Sequence, residues 1–187
     1  MTDVLRAHSL SEIHYYLLVM PCAACGKGPC ASQGIDRTAG DRVSVRTRCG
    51  TCGHEQSLHV VCDGPELDDE TALNPTDLPS ELIDLGQWLS LHALMQNRAR
   101  QAQTPFQAHQ DACRAAVCLE EALRFYEDGQ ELPRTGAMFS HASDTAFREH
   151  PERFAHRRLI DLHGQLPHLP RQAADRAGPK WWQFWRT

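Results

Sequence analysis

The chain has 187 residues, a formal net charge of −5, a hydrophobic content of 41% and a charged content of 23%. This composition is that of a globular protein with a buried core, and it argues against a chain that is disordered throughout. The longest apolar run covers residues 15–20 and is too short for a membrane-spanning helix.

The N-terminal residues contain no basic patch followed by an apolar segment, so the sequence predicts no signal peptide. We therefore expect a cytoplasmic protein. Disulfides are rare in a reducing compartment. The eight cysteines of the chain then favour metal or redox chemistry over disulfide pairing.

Two matching cysteine motifs stand in the N-terminal third of the chain. CAACG begins at Cys22 and CGTCG begins at Cys49. Two cysteines three positions apart in a tight turn can direct both sulfurs at one ion, and two such turns complete a tetrahedron. Gly26 and Gly53 follow the motifs' second cysteines, where the backbone often needs the positive φ that glycine adopts without strain. The pattern predicts a four-cysteine metal site.

Segments rich in β-branched and aromatic residues flank the two motifs and predict three strands, at residues 13–20, 42–47 and 56–62. Two C-x-x-C-G motifs between such strands resemble a zinc ribbon, a small antiparallel sheet that holds one Zn²⁺. The resemblance implies that the ligands are Cys22, Cys25, Cys49 and Cys52. With four thiolates the ion has no open coordination position, so such a site is structural.

Three other residues leave the ligand set open, namely Cys30, Cys62 and His54. None of them lies in a paired motif, so a buried or free thiol and a solvent-facing histidine are the simpler interpretation. A redox C-x-x-C pair is disfavoured because such pairs begin a helix after a strand. Rubredoxin-like iron is disfavoured, because it would be expected in a core rich in aromatic residues and the N-terminal part offers little beyond Tyr15 and Tyr16. No catalytic set of residues emerges, so we predict that the protein is not an enzyme.

A second candidate site is the strand predicted at residues 42–47. Arg42, Arg46 and Arg48 fall on one face of this strand, and Val43 and Val45 fall on the other. A basic strand face is a surface that can contact phosphates. The N-terminal part is nevertheless net neutral and has no aromatic residues interleaved on this face. Nucleic-acid contact therefore stays an alternative to a solvated face.

The net negative charge of the chain arises between residues 64 and 80, where there are five acidic and no basic residues together with three prolines. This composition predicts a solvated linker. We therefore predict an α+β protein, with a small N-terminal antiparallel β zinc ribbon followed by an α-helical bundle or helical-hairpin domain. The predicted boundaries are a zinc-ribbon domain over 1–63, an acidic linker over 64–80, an α-helical domain over 81–170 and a flexible tail over 171–187.

The period of the apolar residues changes to about 3.6 after the linker, which predicts helices. The first predicted helix covers residues 80–103 and starts at a Ser80 cap. The second covers residues 106–129 and stops at Gly129. The third starts at a Ser143 cap and restarts at Pro151.

The chain ends with a dense aromatic cluster behind a Gly-Pro break, formed by Trp181, Trp182, Phe184 and Trp185. Three destinations fit such a cluster: a groove on a partner protein, a membrane interface, or the helical domain of the same chain. The short length of the segment disfavours the membrane surface.

These observations together predict a non-enzymatic, zinc-binding adaptor subunit that works within a larger protein assembly. Its protein partner would be bound through the aromatic tail and the helical domain, and no small-molecule substrate is expected. The alternative is a nucleic-acid-binding accessory factor that uses the basic face of the zinc ribbon.

Overall fold

The computed structural model describes residues 4–37, 40–62 and 73–167. The N-terminal half contains four strands and one helix in these residues, and the remaining helices follow. The elements are β1 (Leu5–Ala7), α1 (Leu10–Val19), β2 (Cys30–Arg37), β3 (Arg42–Cys49), β4 (Glu55–Cys62), α2 (Leu85–Gln101), α3 (Pro105–Leu123), α4 (His141–Glu149) and α5 (His156–Gly164). A short 3₁₀ turn, Pro151–Phe154, joins α4 to α5.

The strands form one sheet in the order β1-β4-β3-β2. Strands β2, β3 and β4 pair antiparallel, and β1 is parallel to β4. Side chains of β3 alternate along the strand, with Val43, Val45 and Thr47 buried between exposed arginines. The strands β3 and β4 were predicted from their β-branched residues, and their antiparallel pairing is the one that the resemblance to a zinc ribbon implied.

The predicted strand at residues 13–20 is wrong, because these residues belong to the helix α1. Ser9 caps the helix, and its hydroxyl accepts a hydrogen bond from the Glu12 amide at 3.0 Å. Ile13 and Leu17 lie one turn apart and are both buried. A short apolar run does not distinguish a buried strand from a buried helix, and here tertiary packing decides for the helix.

The strand β2 was not among the three strands predicted from the sequence. Its residues have low strand propensity, and the strand forms because it pairs along its length with β3. The pairing register shifts between Ser32 and Gly34. A Cβ atom at Gly34 would lie 2.6 Å from a guanidinium nitrogen of Arg46. The absence of a side chain at Gly34 therefore leaves room for the Arg46 side chain to lie over β2.

The helices after residue 80 were predicted, but their ends differ from the prediction. Asp84, not Ser80, caps α2, and a reciprocal hydrogen bond with Gln87 completes a capping box. The helix α3 begins after Thr104 and ends at Leu123, before Gly129. Ser140 caps α4, three residues before the predicted Ser143.

The buried apolar residues form one continuous core that includes residues of both the sheet and the helices. The helix α1 contacts β2 and also α2. The rings of Tyr15 and Trp88 lie 6.0 Å apart across the contact of α1 with α2. The chain is therefore a mixed α and β protein in which α1 packs against both the sheet and the helical half.

A buried polar cluster also joins α1 to α3. The buried Glu12 carboxylate accepts a hydrogen bond from the His8 amide, and Asn74 Nδ2 donates one to Glu121 at 3.2 Å. Arg124 lies 3.3 Å from the other oxygen of Glu121. Burial outweighs the attraction of Arg124 and raises the pKa of Glu121 to about 7.

The predicted linker over residues 64–80 is described only from residue 73 onward. Leu73, Asn74 and Ser80 are buried, whereas Asp77 and Leu78 are exposed, so this part of the segment packs partly against the protein. Asn74 donates a hydrogen bond to the buried Glu121 carboxylate, and the Ser80 hydroxyl accepts hydrogen bonds from the Leu82 and Ile83 amides. Residues 64–72 lie outside the described residues, and the division of the chain into domains stays a prediction.

Candidate metal centre

The four cysteines of the two motifs lie together in the structure. The sulfur atoms of Cys22, Cys25, Cys49 and Cys52 are all within 4.8 Å of one another. The Sγ atoms of Cys22 and Cys52 are 3.7 Å apart, and those of Cys25 and Cys49 are 3.8 Å apart. Four sulfurs at about 2.3 Å from a central tetrahedral ion would lie about 3.8 Å from one another. The separations therefore fit a tetrahedral site.

The first motif forms a turn that begins at the end of α1 and precedes β2. The Gly26 amide donates a hydrogen bond to the Cys22 carbonyl at 2.8 Å, and the Cys22 amide donates to the Lys27 carbonyl at 2.7 Å. Gly26 has φ of +68°, a conformation that favours glycine. These bonds fold the motif so that both of its sulfurs face the same point.

The second motif repeats this geometry in the turn between β3 and β4. The Gly53 amide donates to the Cys49 carbonyl at 2.9 Å, and the Cys49 amide donates to the His54 carbonyl at 2.9 Å. Gly53 has φ of +74°. The repeated C-x-x-C-G pattern in the sequence therefore corresponds to two turns with the same hydrogen bonds, as the spacing predicted.

Two further hydrogen bonds connect the turns to each other. The Gly50 amide donates to the Pro29 carbonyl at 2.9 Å, and the Thr51 hydroxyl donates to the Gly28 carbonyl at 2.9 Å. The relative position of the two cysteine pairs is thus held by the protein backbone. An ion bound between them would need little rearrangement of the chain.

The exposure of the four thiols is uneven. Cys22 and Cys49 are buried, Cys25 is half-buried and Cys52 is exposed, and all four are free of disulfides. The ion would therefore lie at the margin of the core, where it could exchange with solvent from the side of Cys52.

The local backbone prepares Cys49 to act as a ligand. Hydrogen bonds from the backbone amides of Cys52 and Thr51 lower the pKa of the Cys49 thiol. The Thr51 amide is 3.4 Å from the sulfur. Because the thiolate is the form that binds metals, these amides favour metal binding at neutral pH.

This donor set fits a soft cation that accepts tetrahedral sulfur coordination. All four positions of the tetrahedron would be filled by protein sulfurs, which leaves none for a substrate or a water molecule. Such an ion would join the end of α1 to the β3–β4 turn and stabilise this corner of the fold.

The structure places the three residues that left the ligand set open outside this group. Cys30 is buried at the start of β2, opposite Cys49, and Cys62 is half-buried at the end of β4. His54 contributes its backbone carbonyl to the second turn, while the residue itself is exposed. Among the residues that the structure describes, the group close enough to share an ion consists of the four predicted cysteines.

The predicted arginine face lies on the exposed side of the sheet, where Arg42, Arg46 and Arg48 all reach solvent. Nearby acidic residues partly neutralise it. Arg46 Nε is 3.7 Å from an Asp36 oxygen, and Arg48 is paired in register with Glu55.

A further arginine belongs to the same face and was missed from the sequence. Arg6 on β1 pairs with Val61, which in turn pairs with Arg42. The three-residue strand β1 carries too short a pattern to be predicted, so the parallel pairing was needed to find Arg6.

The aromatic tail residues Trp181, Trp182, Phe184 and Trp185 lie outside the described residues. In the part of the chain that is described, no helix is both long and apolar enough to cross a membrane.

Comparisons with protein-family models, with curated protein sequences and with solved structures find no match to this chain. A functional assignment must therefore come from its own residues, of which the four-cysteine centre is the most specific feature.

Proposed function

We propose that this protein is a non-enzymatic adaptor subunit whose N-terminal third is a zinc ribbon with one structural Zn²⁺. The observation that carries the proposal is the set of four sulfurs at tetrahedral separations, on two turns with the same hydrogen bonds. Zinc suits this set because it accepts four thiolates without geometric strain and has no redox chemistry of its own.

A zinc ion whose four coordination positions are all filled by protein sulfurs would serve to stabilise a surface that a partner binds. Zinc would hold together α1, β2 and the β3–β4 turn, and so stabilise the sheet whose outer face is exposed. The helical half and the aromatic tail would then supply the contacts with a protein partner, since tryptophans and arginines are frequent among residues that dominate binding energy.

The metal assignment is tested by elemental analysis of protein purified without added metal. About one zinc per chain is expected, and Cys49→Ser should lose it. Cys62→Ser is the matched control, because Cys62 is a half-buried thiol of the same sheet outside the cluster. Iron in place of zinc, with a visible charge-transfer colour, would overturn the zinc assignment.

The adaptor role is tested by affinity purification after nuclease treatment, with the full chain and with a chain truncated before Lys180. We expect a protein that copurifies with the full chain and is lost with the truncated chain. Retention of the partner by the truncated chain would contradict the role of the aromatic tail. Turnover of a substrate by the purified protein would contradict the non-enzymatic role.

A second candidate function is nucleic-acid binding through the basic sheet face. Its support is the row of exposed arginines on β3, extended by Arg6 on β1. Fluorescence anisotropy with labelled single-stranded and duplex oligonucleotides at several salt concentrations would test it. Alanine at Arg42, Arg46 and Arg48 should weaken binding and reduce its salt dependence. Alanine at three exposed arginines of the helical half, Arg153, Arg157 and Arg158, is the matched control.

A further inference from the structure

A fifth cysteine lies beside the four-cysteine centre. Cys30 is buried at the first position of β2, and its partner in the antiparallel pairing with β3 is Cys49, one of the four clustered cysteines. The four clustered sulfurs lie within 4.8 Å of one another, and the Cys30 sulfur is not one of this group. Cys30 is therefore a thiol that adjoins the proposed zinc ligands without belonging to their set.

The pairing of Cys30 with Cys49 has the geometry that a cross-strand disulfide needs. The Cys49 amide donates to His54 and the Gly50 amide donates to Pro29, so Cys30 and Cys49 form a non-hydrogen-bonded pair. Residues in such pairs have Cα atoms about 4.5 Å apart and side chains on the same face of the sheet. Disulfides join residues whose Cα atoms are about 4.4–6.8 Å apart.

The end of β3 is also accessible to small molecules. A shallow depression of about 410 Å³ is lined by Ala31, Gln33, Arg48, Cys49, Gly50 and Gly53. Ala31, Gln33 and Arg48 place this depression on the exposed face of the sheet, whereas the Cys30 and Cys49 side chains are buried on the other face. A hydroperoxide would instead approach the Cys49 sulfur from the side of Cys52, the exposed member of the same cluster.

We propose that Cys30 is the resolving thiol of a redox-sensitive metal centre, which forms a disulfide with Cys49 under a hydroperoxide and thereby releases the zinc ion. This inference rests on the proposed zinc site. It assigns a role to Cys30 that a structural centre alone would not require.

The reaction balances with one hydroperoxide per disulfide. The Cys49 thiolate attacks the peroxide oxygen, the O–O bond breaks, and Cys49 becomes a sulfenic acid as hydroxide or alkoxide leaves. The Cys30 thiol then attacks the Cys49 sulfur, the S–S bond forms, and a water molecule leaves with the Cys30 proton. The two sulfurs lose two electrons to the peroxide. With Cys49 in the disulfide, three thiolates would remain to hold an ion at the centre, and the site would bind it less tightly.

The test treats zinc-loaded full-length protein with hydrogen peroxide and follows zinc release with a coloured chelator. Non-reducing peptide mapping by mass spectrometry identifies the disulfide at the same time. For the wild-type chain we expect one zinc released, a disulfide between Cys30 and Cys49, and recovery of zinc binding after reduction with dithiothreitol. In Cys30→Ser the initial release rate should fall at least about tenfold and that disulfide should be absent.

Controls separate this proposal from the zinc assignment and from a folding defect. Cys62→Ser should release zinc like the wild type, and Cys30→Ala should behave like Cys30→Ser with an unchanged zinc content before oxidation. Release at the wild-type rate from both Cys30 variants would overturn the proposal, as would a disulfide confined to the four ligands. If the purified protein holds no zinc, the zinc assignment fails, but peptide mapping of the oxidised chain still tests the pairing of Cys30 with Cys49.

Discussion

At the residue scale, the two turns of the metal centre depend on one conformational property of glycine. Gly53 adopts φ of +74° at the position after the second cysteine of its motif. A residue with a Cβ atom is strained by roughly 1–2 kcal/mol in this left-handed conformation. The glycine therefore allows the Gly53 amide to hydrogen-bond the Cys49 carbonyl and close the turn.

Replacing this glycine should weaken the centre. We expect Gly53→Ala to lower the free energy of unfolding of the zinc-loaded protein by about 1–2 kcal/mol and to speed zinc loss to a chelator. Chemical denaturation and the rate of zinc transfer measure the two effects. Gly164→Ala is the control, because Gly164 lies in a helix with a negative φ and open space around its Cβ position. Equal effects of the two substitutions would show that the turn tolerates a side chain.

The buried carboxyl group of Glu121 makes a pH-dependent contribution to stability. Burial raises its pKa from 4.5 to about 7, against the attraction of Arg124 and with an added repulsion from Glu12 and Glu120. Between these two pH values the folded state keeps a proton that the unfolded state has lost. Because the folded state binds more protons, its stability falls as the pH rises through this window.

Glu121→Gln should remove this pH dependence. Between pH 4.5 and pH 7 the wild type should lose stability and the variant should not lose it through this group. The free energy of unfolding of the variant should therefore gain on the order of 3 kcal/mol relative to that of the wild type over this range. Urea denaturation at several pH values measures it. Glu149→Gln, at an exposed position, should keep the wild-type slope. A Glu121→Gln profile parallel to the wild type would show that the carboxyl group has no raised pKa.

At the element scale, α2 and α4 pack at a position where only glycine fits. A Cβ atom added to Gly86 would lie 2.6 Å from the Cβ of Ser143, which is well inside van der Waals contact. Ser143 in turn donates a hydrogen bond to Asp84, the cap of α2, at 2.6 Å. The close approach of the helices and the capping of α2 are therefore coupled.

Gly86→Ala should destabilise the protein although alanine is the better helix former. The clash would separate α2 from α4 at a cost of about 1–3 kcal/mol, more than the roughly 1 kcal/mol that alanine contributes inside a helix. Thermal and chemical denaturation measure the net effect. Gly86→Ala with Ser143→Gly should recover part of the loss. A single Gly86→Ala variant more stable than the wild type would contradict this packing.

At the scale of the whole molecule, the continuous core couples the metal centre to the helices. The helix α1 leads directly into the first cysteine turn and also packs against α2, where Tyr15 faces Trp88. Loss of the ion would loosen the end of α1 and, through it, the contact with the helical half.

We therefore expect removal of zinc by a chelator to lower the midpoint of thermal unfolding of the helices by more than about 10 °C. The helical signal in far-ultraviolet circular dichroism, followed as the temperature rises, measures this midpoint. We expect the zinc-loaded protein to unfold in a single transition. A chelator already saturated with calcium is the control. An unchanged midpoint of the helical signal after zinc removal would instead favour two independently stable domains.

The features that the sequence could predict are those set by short-range patterns. The C-x-x-C-G repeat predicted all four clustered cysteines, because the geometry of each turn is local. The β-branched residues of β3 and β4 and the apolar period of α2 and α3 predicted those elements for the same reason.

Other features were decided only by tertiary structure, because they depend on partners distant in the chain. The apolar run at residues 15–20 is compatible with a strand or a helix, and burial between the sheet and α2 decides for α1. β2 exists because β3 pairs with it, and Arg6 joins the basic face because β1 pairs with β4. The sequence by itself determined which residues can bind a metal ion. Only the tertiary structure brought Cys30 opposite Cys49 and buried Glu12 near Glu121, because strand register and core packing arise from contacts between residues far apart in sequence.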